Sequence, residues 1–327
     1  MEHELLTLEF GRGAVAYEGR TAPAGTLGCE ALNIPDAVIA SLAEPCRVLN
    51  EFIAALGMLS VTDELLERAR GAALQLLNTM LEMEPFSHLD RDFYAPGIAD
   101  AFTPEAIEQV RALNMAMLTR GLAAAQEPSL RKGALLSKIA PVLAQLAFSL
   151  AEYKRAMTAL AEAINVDNVE RTPDGLASAF GAHFDASSDS LMSLANASVQ
   201  YVSVGEPPKL LRRMNYISLV GLLRSDLFEG IAAGHAPRKC AVCGRWFLTL
   251  DARRTKYCGG FAPGDAHGRT CRQVGAMRGR EQRELAGDHP LKAIYSRRLN
   301  TILQSQRRGR LDEATADAMR KLAKDKL

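Results

Sequence analysis

Four of the six cysteines in this 327-residue chain lie between residues 240 and 271, and they constrain the fold more than any other feature. Cys240 and Cys243 form a C-x2-C pair, and Cys258 and Cys271 follow after 14 and 12 intervening residues. A C-x2-C pair on a tight turn directs two thiolates at one point, and two further thiolates complete a tetrahedral ligand set that suits zinc. The sequence therefore predicts one structural zinc ion per chain, held by these four cysteines.

The residues around the cysteines predict how each ligand is positioned. Gly244 follows the C-x2-C pair, where the backbone needs a positive φ angle that glycine adopts at low cost. Trp246 and Leu248 alternate with Phe247 as in a strand that leaves the turn. Thr270 precedes Cys271 and is a suitable N-cap for a helix beginning there. This pattern predicts a small, treble-clef-like zinc finger over residues 236–283.

Other chemistry at the four cysteines stays open at this point. A redox pair of Cys240 and Cys243 would leave Cys258 and Cys271 unexplained. Four thiolates could also hold an iron–sulfur cluster, although the spacing matches neither common ferredoxin pattern. His267 could replace Cys271 as the fourth ligand. A catalytic zinc ion would keep one coordination position open, and four cysteines leave none.

The charge is divided unequally along the chain. Residues 236–327 contain 21 lysine and arginine residues against 9 aspartate and glutamate residues, whereas residues 1–235 contain 18 against 29. Such asymmetry indicates either that the basic part binds a polyanion or that the two parts neutralise each other within the fold. Together with the Gly- and Pro-containing connector at 234–240, it predicts an acidic body (1–235), the finger (236–283) and a basic helical tail (284–327).

Composition and periodicity predict a mainly α fold. Aromatic residues make up only 6% of the chain, and alanine and leucine are frequent. A short β-hairpin is expected at the start, where "ELLTLEF" and "AVAYEG" flank "GRG". Apolar residues three and four positions apart predict helices over 35–56, 62–83, 103–125, 130–164 and 208–233. Thr103 and Thr172, each followed by proline, are expected helix caps, and Pro141 is expected to kink or split the fourth helix.

Neither a targeting segment nor a membrane span is predicted. The first ten residues contain three acidic residues and lack a signal-peptide pattern. The longest apolar run, 139–151, is shorter than the roughly 20 residues that a membrane-spanning helix needs. We therefore expect a cytoplasmic protein without membrane contact, a compartment in which thiols stay reduced and clustered cysteines are more often metal ligands.

No enzymatic activity is predicted. The sequence lacks a glycine-rich phosphate loop, an HExxH motif and a nucleophile elbow. Two stretches, "HLDRDFY" at 88–94 and "HFDASSDS" at 183–190, contain carboxylates and imidazoles that could hold a metal ion. The alternative for both is ordinary helix capping.

Basic residues in the C-terminal part are candidates for phosphate contacts, which supply most of the non-specific affinity for DNA. The predicted nucleic-acid-binding residues are Arg245, Arg253, Arg254, Lys256, Arg269, Arg272, Arg278, Arg297 and Arg307. A helix beyond Pro290 would bury an apolar face and leave basic residues nearer the solvent. The expected apolar face is Leu291, Ile294, Tyr295, Leu299, Ile302 and Leu303, and the expected solvent side is Lys292, Arg297, Gln304, Arg307 and Arg308. The alternative is an ordinary solvated helix face.

Several motifs resemble known proteins. "PRKCAVCGRWFL", "TKYCGG", "RTCRQVGA", "IYSRRLNTI" and "RRGRLDEATADAM" resemble the C-terminal half of an uncharacterised family of bacterial and prophage proteins with a C-terminal four-cysteine zinc finger, over about 201–327. The finger is similar, more loosely, to the CGNR-type zinc finger of presumed DNA-binding regulators. That type has its third and fourth cysteines close together and the sequence Cys-Gly-Asn-Arg, whereas here Cys271 is followed by Arg272, Gln273 and Val274. The looser resemblance implies nucleic-acid binding, and the closer one implies no particular activity.

These observations predict a zinc-finger protein that binds nucleic acid or regulates transcription through its basic C-terminal region. The alternative is a protein-interaction module in which the zinc finger only stabilises the fold and the basic helices bind an acidic partner. In either case the helical body could bind a protein partner or a second copy of the chain. A linear fall of log affinity for DNA with log salt concentration would favour the first prediction.

Overall fold

The computed structural model describes residues 7–120, 127–166, 169–170, 172–186, 197–216, 218–250, 255–285 and 290–325. The chain divides into two compact units. The N-terminal unit consists of Met1–Lys239 and Gly244–Lys256, and the C-terminal unit consists of Cys240–Cys243 and Tyr257–Leu327. The chain therefore enters the C-terminal unit twice, first for only four residues. The composition-based division at residues 235 and 283 stays a prediction.

Helices dominate the described residues, so the predicted mainly α fold is confirmed. Those of the N-terminal unit are α1 (Thr26–Ala31), α2 (Asp36–Ser41), α3 (Ala43–Gly57), α4 (Asp63–Leu81), α5 (Arg91–Ala101), α6 (Pro104–Arg120), α7 (Arg131–Ala144), α8 (Leu146–Ala163), α9 (Pro173–Ala186) and α10 (Leu219–Ala232). Those of the C-terminal unit are α11 (Cys271–Leu285), α12 (Pro290–Arg307) and α13 (Glu313–Asp325). Thr103 and Thr172 cap α6 and α9 as predicted, since their hydroxyl groups accept the N–H groups of Ala106 and Gly175.

Five strands of the N-terminal unit form one antiparallel sheet. They are β1 (Thr7–Gly11), β2 (Ala14–Tyr17), β3 (Arg20–Pro23), β4 (Ala197–Val204) and β5 (Lys209–Tyr216), in the order β3-β2-β1-β5-β4. The predicted hairpin at the start of the chain is therefore confirmed. Leu8 and Phe10 of β1 lie on the same face as Tyr17 and Val15 of β2, and all four are buried because alternate side chains of a strand share one face.

One helix prediction is wrong in its first half. The segment predicted as a single helix over 208–233 begins with β5, which pairs with β1 so that Leu8 lies opposite Met214. The helix α10 begins only after Ser218, whose side chain accepts the N–H group of Gly221 at 3.0 Å. The apolar spacing in "KLLRRMNY" suits a strand as well as a helix. This segment becomes a strand because it pairs with β1, which is far away in the sequence. Local periodicity cannot indicate that pairing.

Two predicted long helices are interrupted. The first breaks at Leu42, between α2 and α3, and the other at Gln145, between α7 and α8. Pro141 stays inside α7, four residues before the break, and Gln145 donates its N–H group to the Pro141 carbonyl. Among the described residues, no single helix has the length and apolarity to cross a membrane. Pro128–Ala144 and Leu146–Ala163, bent by 50°, meet that test only as a pair.

A buried carboxylate holds α1 against α10. Asp226 of α10 is fully buried, and its two side-chain oxygens accept the N–H groups of Gly25 and Gly28, both at 2.9 Å. These N–H groups belong to the first turn of α1, which has no other cap. Burial raises the pKa of Asp226 to about 7, although the backbone N–H groups act in the opposite direction.

A short hairpin leads into the cysteine region. The strands β6 (Ala236–Lys239) and β7 (Trp246–Thr249) are antiparallel, and Lys239 pairs with Trp246. The side chain of Asn33, which follows α1, accepts the Trp246 N–H group at 2.7 Å and donates to the Trp246 carbonyl at 2.9 Å. Asn33 thus satisfies the backbone of β7 as a neighbouring strand would. The strand predicted after Gly244 is confirmed.

Candidate metal centre and basic surface

The first two cysteines lie on the turn between β6 and β7. Cys240 is buried and Cys243 is partly buried. Gly244 has a φ angle of 73°, in the left-handed region that glycine adopts at low cost, as predicted. The turn thus closes directly after the second cysteine, and both thiols come from one short segment.

A small ladder brings the other two cysteines together. Phe261 and Thr270 form an antiparallel bridge, and Cys271 donates its N–H group to the Gly260 carbonyl at 2.8 Å. The loop between these segments is closed by Asp265, whose carboxylate accepts the backbone N–H group of Arg269 at 2.8 Å and its guanidinium at 2.5 Å. The Arg269 guanidinium holds the pKa of Asp265 well below its usual range.

Helix α11 positions the last cysteine. Thr270 and Gln273 form a capping box: the Gln273 N–H group donates to the Thr270 hydroxyl at 3.3 Å, and the Thr270 N–H group donates to the Gln273 side chain at 2.8 Å. Cys271 is therefore the first residue of α11, as the sequence predicted. The ring of Tyr257, next to Cys258, lies directly against Gly275 on the same helix.

The four sulfur atoms converge. The sulfurs of Cys240, Cys243, Cys258 and Cys271 all lie within 4.8 Å of one another, and those of Cys243 and Cys258 are 3.7 Å apart. The Cys258 N–H group donates to the Cys240 sulfur at 3.4 Å. A set of four sulfurs in this arrangement could hold one metal ion. His267, the alternative fourth ligand, is exposed and is not part of the cluster.

The cysteine thiols of the cluster differ in pKa. Burial opposes ionisation of Cys240, but backbone N–H groups, first that of Cys243, outweigh burial and lower its pKa to about 6. Burial, with the three neighbouring thiols, raises the pKa of Cys271 well above the usual range. Four thiolates this close repel one another, and a divalent cation between them removes that repulsion.

Neither carboxylate-rich stretch forms a second cluster among the described residues. In the first, Asp90 caps α5 by accepting the Asp92 N–H group at 2.9 Å, which supports the helix-capping alternative. The second stretch lies partly outside the described residues.

The predicted phosphate-binding residues lie in several places. Arg253 and Arg254 lie outside the described residues, and Arg245 and Lys256 belong to the segment that is assigned to the N-terminal unit. The Arg269 guanidinium is paired with Asp265. Arg272 and Arg278 are exposed on α11, and Arg297 and Arg307 are exposed on α12. Arg297 and Arg307 lie about 80° apart around α12, whereas Arg272 and Arg278 lie about 120° apart around α11, so the α12 pair is the closer to a common face.

Helices α12 and α13 pack against each other. Ile302 on α12 and Ala316 on α13 are buried, and Gln306 accepts a hydrogen bond from Arg320. The prediction for α12 is correct at Ile302, but Ile294 and Leu303 remain 44% and 38% exposed, because the helix buries a narrower face than expected. All the residues expected on the solvent side of α12 are exposed.

The segment 290–311, here called the basic segment, contains no aspartate or glutamate. Its cations are all exposed, and they are Lys292, Arg297, Arg298, Arg307, Arg308 and Arg310. Within the described part of the chain, none of these five arginines takes part in an ion pair. Elsewhere, arginines such as Arg20, Arg47 and Arg213 pair with glutamates. Arg298 and Arg310 were not among the predicted phosphate-binding residues, although the lack of acidic residues around them is a signal that the sequence contains.

The C-terminal part of the chain matches a known family model. Residues 192–327 match the model of a family of unknown function, DUF6076, and this range contains the whole region of about 201–327 expected from the sequence motifs. No curated protein and no solved structure matches the chain. The chain is thus similar, over its C-terminal part, to a protein family whose function is not established.

Proposed function

We propose that the C-terminal unit is a zinc-stabilised module that binds nucleic acid. The four cysteines hold one structural zinc ion, and the basic segment contacts phosphate groups. The observation that carries the proposal is the basic segment, with six exposed cations and no acidic residue.

Zinc fits the cysteine cluster. A tetrahedral zinc ion with zinc–sulfur bonds of about 2.3 Å places its sulfurs about 3.8 Å apart. The separation of 3.7 Å between the sulfurs of Cys243 and Cys258 agrees with this value, and the cluster as a whole lies within 4.8 Å. Four cysteines leave no position for a reacting water, so the ion would be structural. The turn after β6, the small ladder and the start of α11 each supply ligands, which supports a treble-clef-like finger.

The basic segment suits phosphate binding for an electrostatic reason. An arginine that already pairs with a carboxylate must give up that partner before it contacts a phosphate. The arginines of the basic segment have no such partner among the described residues, and no carboxylate in the segment repels a phosphate. Binding would release counterions from the nucleic acid, so the affinity should fall steeply with salt.

Metal analysis tests the zinc ion directly. The full chain, purified under reducing conditions, should contain one equivalent of zinc, as measured by elemental (inductively coupled plasma) mass spectrometry. Iron at one equivalent, or no metal, would contradict the proposal. Because the ligands must be reduced, the proposal also implies a reducing compartment such as the cytoplasm.

A salt titration tests phosphate binding. The affinity of the full chain for a labelled duplex should fall linearly on a log–log plot, and R298A/R308A should reduce the slope by about two. The matched control is R47A/R68A, which removes the same charge from the N-terminal unit, where both arginines pair with glutamates. An equal effect of both double variants would show that net charge, and not the basic segment, determines binding.

The protein-interaction module is the second candidate, and the sheet favours it. The edge strand β4 contains no charged residue, and Tyr201 on β4 and Leu210 on β5 are 71% and 73% exposed. Such an edge can accept an extended strand of another protein or of a second copy. This candidate would be favoured if the wild-type chain dimerises, if Val202→Pro abolishes the dimer, and if neither the wild type nor the variant binds DNA.

A further inference from the structure

We propose that α12 recognises the sequence of duplex DNA directly, by lying in the major groove with four polar side chains against the base edges. These residues, here called the polar stripe, are Arg297, Asn300, Gln304 and Arg307. The inference rests on the proposed phosphate binding and adds the kind of nucleic acid and the contacts that distinguish its bases.

The polar stripe occupies the side of α12 opposite the buried one. Its members are separated by three, four and three residues, so at 3.6 residues per turn they fall within an arc of about 80°. The centre of that arc lies about 180° from Ile302, which is only 6% exposed. All four side chains are exposed. The helix thus presents a continuous row of hydrogen-bonding groups to the solvent.

The chemistry of the polar stripe matches base edges. Arginine pairs with two acceptors of guanine in the major groove, and asparagine or glutamine pairs with the donor and acceptor of adenine. Among the described residues, Asn300 and Gln304 form no side-chain hydrogen bond, so their amide groups are available. Arg298 and Arg308 lie outside the polar stripe, where they would contact the backbone phosphates that fix the position of the helix.

Duplex DNA is favoured over duplex RNA by shape. An α-helix with its side chains is about 10–12 Å wide, which fits the major groove of B-form DNA at about 12 Å. The major groove of A-form RNA is too narrow and deep for side chains to reach the bases. From Arg297 to Arg307 the helix rises about 15 Å, which spans about four to five base pairs.

The test is a selection from duplexes of 20 base pairs with a randomised centre, using the zinc-loaded full chain. We expect a motif of about four to five base pairs that contains guanine and adenine positions, with each preferred adenine favoured about tenfold or more. In N300A/Q304A the adenine preference should disappear. Its affinity for random duplex should stay within about twofold of the wild type, and its salt slope should not change, because no charge is removed.

Folding does not confuse the result, because alanine is the strongest helix former and the zinc content reports on the fold. The control K321A/K324A removes two exposed charges from α13 and should weaken binding to all sequences while leaving the motif unchanged. Three outcomes would overturn this inference and leave phosphate binding standing. They are wild-type binding without an enriched motif, an unchanged motif in N300A/Q304A, and equal affinity for duplex RNA and duplex DNA. Absence of binding to any duplex would overturn both proposals.

Discussion

Replacement of Gly275 by alanine tests how α11 positions the metal cluster. A Cβ atom at Gly275 would lie 2.4 Å from Cζ and 2.5 Å from Cε1 of the Tyr257 ring. Contacts this short do not occur, so the ring must move away from the helix. Tyr257 directly precedes Cys258, and a shift of the ring therefore displaces one of the four sulfurs.

The magnitude follows from two opposing effects. Overpacking of a closely packed contact costs about 1–3 kcal/mol. Alanine in place of glycine within a helix returns about 0.5–1 kcal/mol. The net loss of about 1–2 kcal/mol corresponds to zinc binding that is weaker by roughly fivefold to thirtyfold.

The assay is transfer of zinc from the full chain to a coloured chelator at fixed pH. Gly279→Ala is the matched control on the same helix, because an added Cβ there meets no atom within 4 Å. It should bind zinc as tightly as the wild type, or slightly more tightly. In a Tyr257→Ala background, Gly275→Ala should cause no further loss of zinc affinity. Unchanged zinc affinity in Gly275→Ala, or an equal loss without the Tyr257 ring, would refute the reasoning.

Three further changes probe other parts of the chain, and Trp246, the single tryptophan, reports on unfolding of the N-terminal unit. Cys258→Ala should abolish zinc binding, on the order of 10 kcal/mol, and unfold the C-terminal unit while the unfolding transition seen by Trp246 persists; loss of the Trp246 transition as well would contradict separate units. Asn33→Ala should cost about 2 kcal/mol in urea unfolding, because two hydrogen bonds to Trp246 are lost; a change below about 0.5 kcal/mol would speak against that bridge. Because the pKa of Asp226 is raised in the folded protein, its contribution to the free energy of unfolding is full below about pH 4 and is lost as the pH rises to about 7. The loss is up to about 4 kcal/mol. Asp226→Asn should remove this pH dependence of stability. Parallel stability–pH curves for both proteins would contradict this assignment.

Local chemistry made part of the candidate site predictable. The positive φ angle at Gly244 and the helix start at Cys271 each depend on neighbours within a few residues, and both are confirmed. The convergence of the four sulfurs was also foreseeable, because four cysteines clustered in this spacing are typical of a metal site. The identity of the ion stays a prediction.

Features that depend on distant residues were not predictable. The Tyr257 ring lies against Gly275, and nothing in the intervening residues indicates that contact. The strand β5 has a helix-like apolar pattern, yet it pairs with β1 near the start of the chain. Asp226 looked like an ordinary polar position in a helix, and only the approach of α1 shows that it is buried. In each case the role of the residue depends on a contact that only the folded structure reveals.

The pairing of β1 with β5 affects what part of the chain can stand alone. On the ribosome, β1 is made long before β5, and the nascent sheet stays open at β1 until residues 209–216 emerge. The region shared with the protein family begins at residue 192, so it contains β5 and α10 but neither β1 nor α1. A fragment cut there would expose one edge of β5 and leave the Asp226 carboxylate without its two N–H donors. In this chain, residues 192–327 therefore depend on residues before 192 to complete the sheet at β5 and to supply the N–H groups of α1 that Asp226 of α10 accepts.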